Sequence, residues 1–309
     1  MFTAMRSIYS YIKRYYDEEF RWPVFLFVLV FSLAAALANE HLKFHTTFLG
    51  NSNEFRLLNI FLFYAASFFI PMTVVVIFAK DRNRYRSLIF WATCLFAVMV
   101  FSFRVYARYH HTFFDALKDN EHLLFWTKCI NNIVPAFNLI FPVFIWWFIN
   151  DRNQQPFYGI RTKGFDPKPY LLILLIMAIP VFLAALQPSF QKYYPHVTRL
   201  FRLGHISANK PFYAAIFETC YAVDFFATEV FFRGFMILAF SKFIGRSIIL
   251  PVAAFYVFIH FGKPLGETIS AFFGGVVLGI ITYETRSIWG GVIVHVGIAW
   301  MMELFGYLL

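Results

Sequence analysis

Charge is scarce in this sequence. Only 14% of its 309 residues are Asp, Glu, Lys or Arg, against about a quarter in an ordinary soluble domain. That shortage excludes a solvated globular body. Cysteine is scarce as well: Cys94, Cys129 and Cys220 are an odd count and far apart. They exclude a disulfide framework and a metal knuckle, and each is expected to be a packing residue. The chain has no internal repeat, no low-complexity tract and no soluble domain. Its start is no signal-peptide core either, since Arg6, Lys13, Arg14, Asp17, Glu18, Glu19 and Arg21 crowd the first 21 residues.

What fills the chain is apolar: 60% of it is hydrophobic, with 44 phenylalanines. A transmembrane helix needs about 20 mainly apolar residues. The runs at 22–39, 56–79, 87–107, 133–149, 170–187, 211–242, 247–260, 268–283 and 289–308 meet or approach that length. The fold class is therefore all-α, a polytopic transmembrane bundle of eight or nine spans. The run at 211–242 is too long for one straight crossing, so it is tilted, kinked near Gly234 or split. The Phe-rich spans read as lipid-facing and packing surface. Before the first span, Met5, Ile8, Ile12, Tyr16 and Phe20 recur at three- to four-residue steps, the pattern of an amphipathic helix on the membrane surface.

The net charge of +10 is spread through short loops between the apolar runs. This pattern sets topology and meets anionic lipid headgroups. No basic patch rises above it, so membrane lipids are expected partners and nucleic acid is not. The basic N-terminal segment, the loop "KDRNRYR" at 80–86 and the loop at 150–169 are expected on the cytoplasmic side. The loop at 188–210 also carries four bases yet falls outside. Pro156, Gly159, Gly164, Pro167 and Pro169 make 151–169 a loop. It separates transmembrane helices 22–150, behind the amphipathic segment 1–21, from a C-terminal half, 170–309.

That C-terminal half holds ionisable residues inside its spans: Glu218, Asp224, Glu229, Arg233, His260, His295 and Glu303. Such residues cost a few kcal/mol on insertion scales and mark function by default. Glu229 and Arg233 are one helical turn apart, in the favourable order for an ion pair. His260 ends "VAAFYVFIH", and His295 sits in "GGVIVHVGIAW". Three apolar spans must each bury these polar groups, and one shared polar cavity does so at least cost. A carboxylate and two imidazoles there suit general acid–base hydrolysis. They also give a plausible count for a metal such as zinc on Glu229, His260 and His295, although their spacing carries no recognisable ligand motif. The other histidines, His41, His45, His110, His111, His122, His196 and His205, fall in loops and read as solvated or interfacial.

These motifs resemble a membrane-embedded peptidase family, the CAAX-protease-like (CPBP, ABI) family. It includes the eukaryotic CAAX prenyl endopeptidase and bacterial proteins, some linked to bacteriocin immunity. "TEVFFRG" is similar to its Glu-Glu-x-x-x-Arg motif, with Glu229 at the second Glu, Arg233 at the Arg and Gly234 after it. "YVFIH" is similar to its Phe-x-x-x-His, with Tyr256 for Phe. The run from His260 to His295 is similar to the segment between the family's two histidines. The resemblance covers about 211–305. It implies a hydrolase of the bacterial inner membrane that cleaves peptide bonds of membrane-associated proteins or peptides, with no cofactor required. It also implies roles: Glu229 with His260 activates water, Arg233 holds Glu229, and His295 stabilises the oxyanion. Two positions depart from the family. Thr228 stands where the first Glu belongs, and Thr cannot take a proton near neutral pH. Ala299 stands where the polar residue four after the second His belongs, and it donates nothing. The alternative is a family member without catalysis, acting as a membrane scaffold or binding protein, or as a proton relay through the same cavity.

Overall fold

The structure, a computed structural model, describes residues 2–50, 54–107, 122–162, 164–203 and 206–309, with side chains from residue 6 onward. His110, His111, His205 and the side chain of Met5 lie outside the described residues. Most of the described residues are helical, and no strand forms among them. The helices are α1 (Phe2–Glu18), α2 (Trp22–Leu42), α3 (Phe44–Gly50), α4 (Arg56–Ile77), α5 (Leu88–Tyr106), α6 (Leu123–Asn150), α7 (Lys168–Ala185), α8 (His196–Leu203), α9 (Lys210–Glu229), α10 (Ile249–Phe258), α11 (Leu265–Thr285) and α12 (Trp289–Leu308). Among the described residues, eight segments are long and apolar enough to cross a membrane, with Lys210–Phe258 counted as one. The protein is an integral multi-pass membrane protein.

Local chemistry explains the helix ends. Pro23, Pro169 and Pro211 stand in the first turns of α2, α7 and α9, where a missing N–H costs nothing. Ser87 caps α5 by accepting the N–H of Phe90. α6 begins at Leu123, ten residues ahead of the apolar run at 133–149. Thr127, Lys128, Asn131 and Asn132 dilute its hydropathy there without breaking the helix. Phe125 and Cys129 pay for that extension by packing with Leu200, Ile206 and Phe217.

The long run at 211–242 neither splits nor ends at Gly234. α9 passes into ten residues of π-helix, Val230–Ala239, every one of them buried. Such widened turns recur at functional sites, and this one carries Arg233. α10 is buried along its whole length and packs against α2, α4 and α11. With no hydrophobic force between helices inside lipid, close packing must hold them together. Aromatic edges supply much of it: Phe101 meets Phe232 at 5.5 Å and Phe255 at 5.2 Å between ring centroids, and Phe232 meets Phe255 at 5.3 Å. Other phenylalanines, such as Phe137, Phe141 and Phe144, are exposed and face outward as lipid-facing residues.

The bundle has two different ends. At one, α1 docks on the core through Arg14 to Glu284 and Glu18 to Arg246, and Lys242 pairs with Asp151. At the other, α8 and the chain before it cover α9 and α12. His196 is not solvated there. Its imidazole lies 4.9 Å from the Tyr194 ring and 5.9 Å from Tyr221. Burial, helped by the charge of Lys263, pushes its pKa down to about 4. A lowered histidine pKa stabilises the fold fully above the unfolded value near 6.5 and less as pH falls toward 4. Thermal unfolding in detergent should therefore show wild type losing up to about 3 kcal/mol more than His196→Gln between pH 7 and pH 4. Parallel losses in the two proteins would refute this account of His196.

Candidate active site

Thr228 and Glu229 close α9. Neighbours on a helix point about 100° apart, so the two side chains serve different surroundings. Thr228 lines a cavity of about 410 Å³ together with Asp224, His260, His295, Arg104 and His45. Glu229 is not among the lining residues. Its side chain is wholly buried against α12 and the π-helix.

Glu229 is held from three sides. Its Oε1 accepts a hydrogen bond from Nδ1 of His295 at 3.0 Å. Its Oε2 lies 3.6 Å from Nε of Arg233, also wholly buried. Gly291 faces the same carboxylate, and a Cβ there would stand 2.1 Å from Oε2. The guanidinium of Arg233 sits 4.5 Å over the ring of Tyr256, a cation–π contact of real worth once desolvated. The Tyr256 hydroxyl lies 3.2 Å from Nε2 and 3.3 Å from Nδ1 of His295. Since Nδ1 already donates to Glu229, Nε2 is the acceptor for that hydroxyl. Glu229, Arg233, Tyr256 and His295 thus form one connected unit, and His295 is its face toward the cavity.

The glycine makes a test. Gly291→Ala should destabilise the protein by about 1–3 kcal/mol, the cost of overpacking, and break the Glu229–His295 contact. Gly274→Ala on α11, where a Cβ meets nothing within 4 Å, should gain up to about 1 kcal/mol from helix propensity alone. Unfolding midpoints for the two variants check both signs, and equal midpoints would overturn the packing argument.

His260 follows α10. Its Nδ1 donates to the carbonyl of Tyr256 at 2.8 Å, which leaves the lone pair on Nε2. Its own carbonyl accepts from Thr268 Oγ1 at 2.9 Å, so the backbone is fixed independently of the ring. Thr228 Oγ1 donates to the carbonyl of Asp224 at 2.9 Å. Asp224 pairs with Arg104 of α5. Ala299 is buried one turn past His295 and offers no polar atom. Glu303 accepts the backbone N–H groups of His196 and Val197 at 3.0 and 3.2 Å, which makes it a cap for α8. Glu218 is its neighbour across α9 and α12. Neither acid lines the cavity.

Glu229, His260 and His295 do not gather into a metal-binding set: among the described residues no group of three or more His, Cys, Asp or Glu side chains is placed to hold a metal ion. Two cavity residues, and one buried behind the cavity wall, escaped the sequence reading. Tyr256 registered only as a replacement for Phe, and its phenol is a usable donor. Arg104 sits at the end of a bland apolar run, where its pairing with Asp224 has no local signature. His45 was expected at a solvated loop and instead forms cavity wall.

Residues 200–301 match the family model described as Type II CAAX prenyl endopeptidase Rce1-like. Over this stretch the chain is a member of the CAAX-protease-like family. No curated protein and no solved structure matches the chain. The family is one of membrane proteases, and the coarse assignment is a membrane hydrolase. Thr228, Glu229, Arg233, Tyr256, His260, His295 and Ala299 all fall in the CAAX-protease-like stretch. His45 and Arg104 come from outside it.

Proposed function

We propose that the protein is an endopeptidase that hydrolyses peptide bonds of membrane-associated proteins or peptides in the cavity between α5, α9, α10 and α12. One observation carries this reading: Thr228, His260 and His295, three polar groups from separate helical segments, converge on one cavity inside an apolar bundle. His260 is the base. Its Nε2 takes a proton from water as the water oxygen attacks the carbonyl carbon. The Tyr256 hydroxyl, which donates to Nε2 of His295 in the resting site, turns to that carbonyl oxygen as charge develops. His295, whose one N–H is held by Glu229, positions the phenol, and the phenol makes up for Ala299. Donors aimed at developing charge are worth several kcal/mol. Glu229 is a positioning residue that fixes the ring of His295, with Arg233 holding it in turn. The scheme uses no cofactor and routes no step through a metal. Lipids surround the spans, and the substrate enters from the membrane.

One observation favours a second reading, a binding or scaffold protein without catalysis. The carboxylate of Glu229 is tied to Arg233 and His295, and Thr228 cannot act as its substitute base. The two readings separate in liposomes holding a library of membrane-anchored peptides. Under the first, wild type cleaves, and Glu229→Gln and His260→Ala both lose most cleavage, with a chelator having no effect. No cleavage by wild type supports the second. Equal cleavage by all three proteins overturns the site.

A further inference from the structure

His45 begins as an unremarkable residue in "LKFHTT", at the start of the short α3. Two hydrogen bonds fix its chemistry. Oδ1 of Asn39, a buried residue near the end of α2, lies 3.0 Å from the backbone nitrogen of His45 and 2.8 Å from its Nδ1. A backbone N–H can only donate, so the Asn39 atom between them is the oxygen. An oxygen accepts, so Nδ1 of His45 carries the ring proton. The lone pair is therefore on Nε2.

That nitrogen faces Gly262. A Cβ on Gly262 would stand 2.6 Å from it, and the residue has φ of +91°, a region L side chains avoid. The chain just after His260 thus carries no side chain where the His45 imidazole approaches it. Burial and the charge of Lys43 hold the His45 imidazole below its ordinary pKa, so the ring is neutral at pH 7. His260 has the same tautomer for a parallel reason, since its Nδ1 donates to the Tyr256 carbonyl. Two neutral imidazoles of fixed tautomer line one cavity, two residues apart where they meet the chain. One water has two hydrogens to give.

We propose that His45 is a catalytic residue, its Nε2 holding the attacking water jointly with His260 Nε2 in place of a carboxylate at position 228. The proposal rests on the endopeptidase reading. The water donates one hydrogen to each imidazole, and its oxygen lone pair is left facing the carbonyl carbon. The O–H bond toward His260 breaks as the C–O bond forms, and the carbonyl π pair moves to oxygen. The C–N bond then breaks, and the proton on His260 passes to the leaving nitrogen. The new carboxyl group keeps the hydrogen facing His45 until it ionises.

The test uses the full-length protein in liposomes with a membrane-anchored peptide from the library, and reads kcat and KM separately. His45→Ala should lower kcat about 100-fold, the lower end for loss of an acid–base partner, with KM within about twofold. His45→Gln, whose amide oxygen still accepts a hydrogen bond, should recover at least a tenth of wild-type kcat. Asn39→Ala, which frees the tautomer, should lower kcat about tenfold. Melting temperatures establish which variants fold. If His45→Ala does not, the other two decide. Wild-type kcat in His45→Ala, or in both others, overturns the His45 assignment and leaves the enzyme standing. No cleavage by wild type overturns the endopeptidase reading and the His45 assignment with it.

Discussion

Arg233→Met is expected to destabilise the protein by about 3–5 kcal/mol, the cost of leaving one buried charge without its partner. The guanidinium is wholly buried, lies beside an equally buried carboxylate and covers the ring of Tyr256. Removing it takes away the cation and the cation–π contact together. Glu229 then keeps only the hydrogen bond from His295. Adding Glu229→Gln should restore most of the loss, because the remaining amide is neutral. This double-mutant cycle separates two views of the pair. If Arg233 merely fills space, methionine fills it nearly as well, and the single variant unfolds with wild type. If it neutralises Glu229, the single variant is worse than the double. Unfolding by denaturing detergent reads the difference directly.

His260→Ala is expected to lower peptide hydrolysis by about 10²–10⁴-fold, the range for loss of a general base. The effect should fall on kcat. The backbone at this position is held by Thr268 through the His260 carbonyl, so the cavity wall survives loss of the ring. KM and melting temperature should stay near wild type. A fall of less than tenfold would move the base elsewhere in the cavity, and a collapsed melting temperature would make His260 a packing residue. Glu229→Gln gives the contrast. A carboxylate that works through His295 alters the donor side of the reaction, and an amide still accepts from Nδ1. Its loss of kcat should be the smaller of the two.

The bundle and its motif-bearing spans were legible because they rest on composition and short-range spacing. Twenty apolar residues announce a crossing wherever they stand, and Glu229 and Arg233 are neighbours on any helix. Facing direction was harder. Thr228 and Glu229 are adjacent letters, and only the phase of α9 turns one toward the cavity and the other away from it. Long-range contributions were harder still. Nothing local in "LKFHTT" says that His45 will meet the chain after His260, because that meeting depends on α3 folding back along α4. Arg104 reads as an ordinary charge near the end of an apolar run until Asp224, 120 residues later, closes on it. His196 looks like a loop histidine because the aromatic rings around it come from α9 and from the chain before α8.

The cavity has two walls of different ancestry in the sequence. Thr228, His260 and His295 come from the stretch that the family model recognises, while His45, Tyr64, Phe101 and Arg104 come from helices that carry none of its motifs. Change in α3 to α5 can therefore alter the shape of the cavity without touching the motif residues. On the endopeptidase reading, two proteins alike in the C-terminal third would diverge in substrate through their N-terminal helices alone, and grafting those helices from one to the other would carry the preference with them.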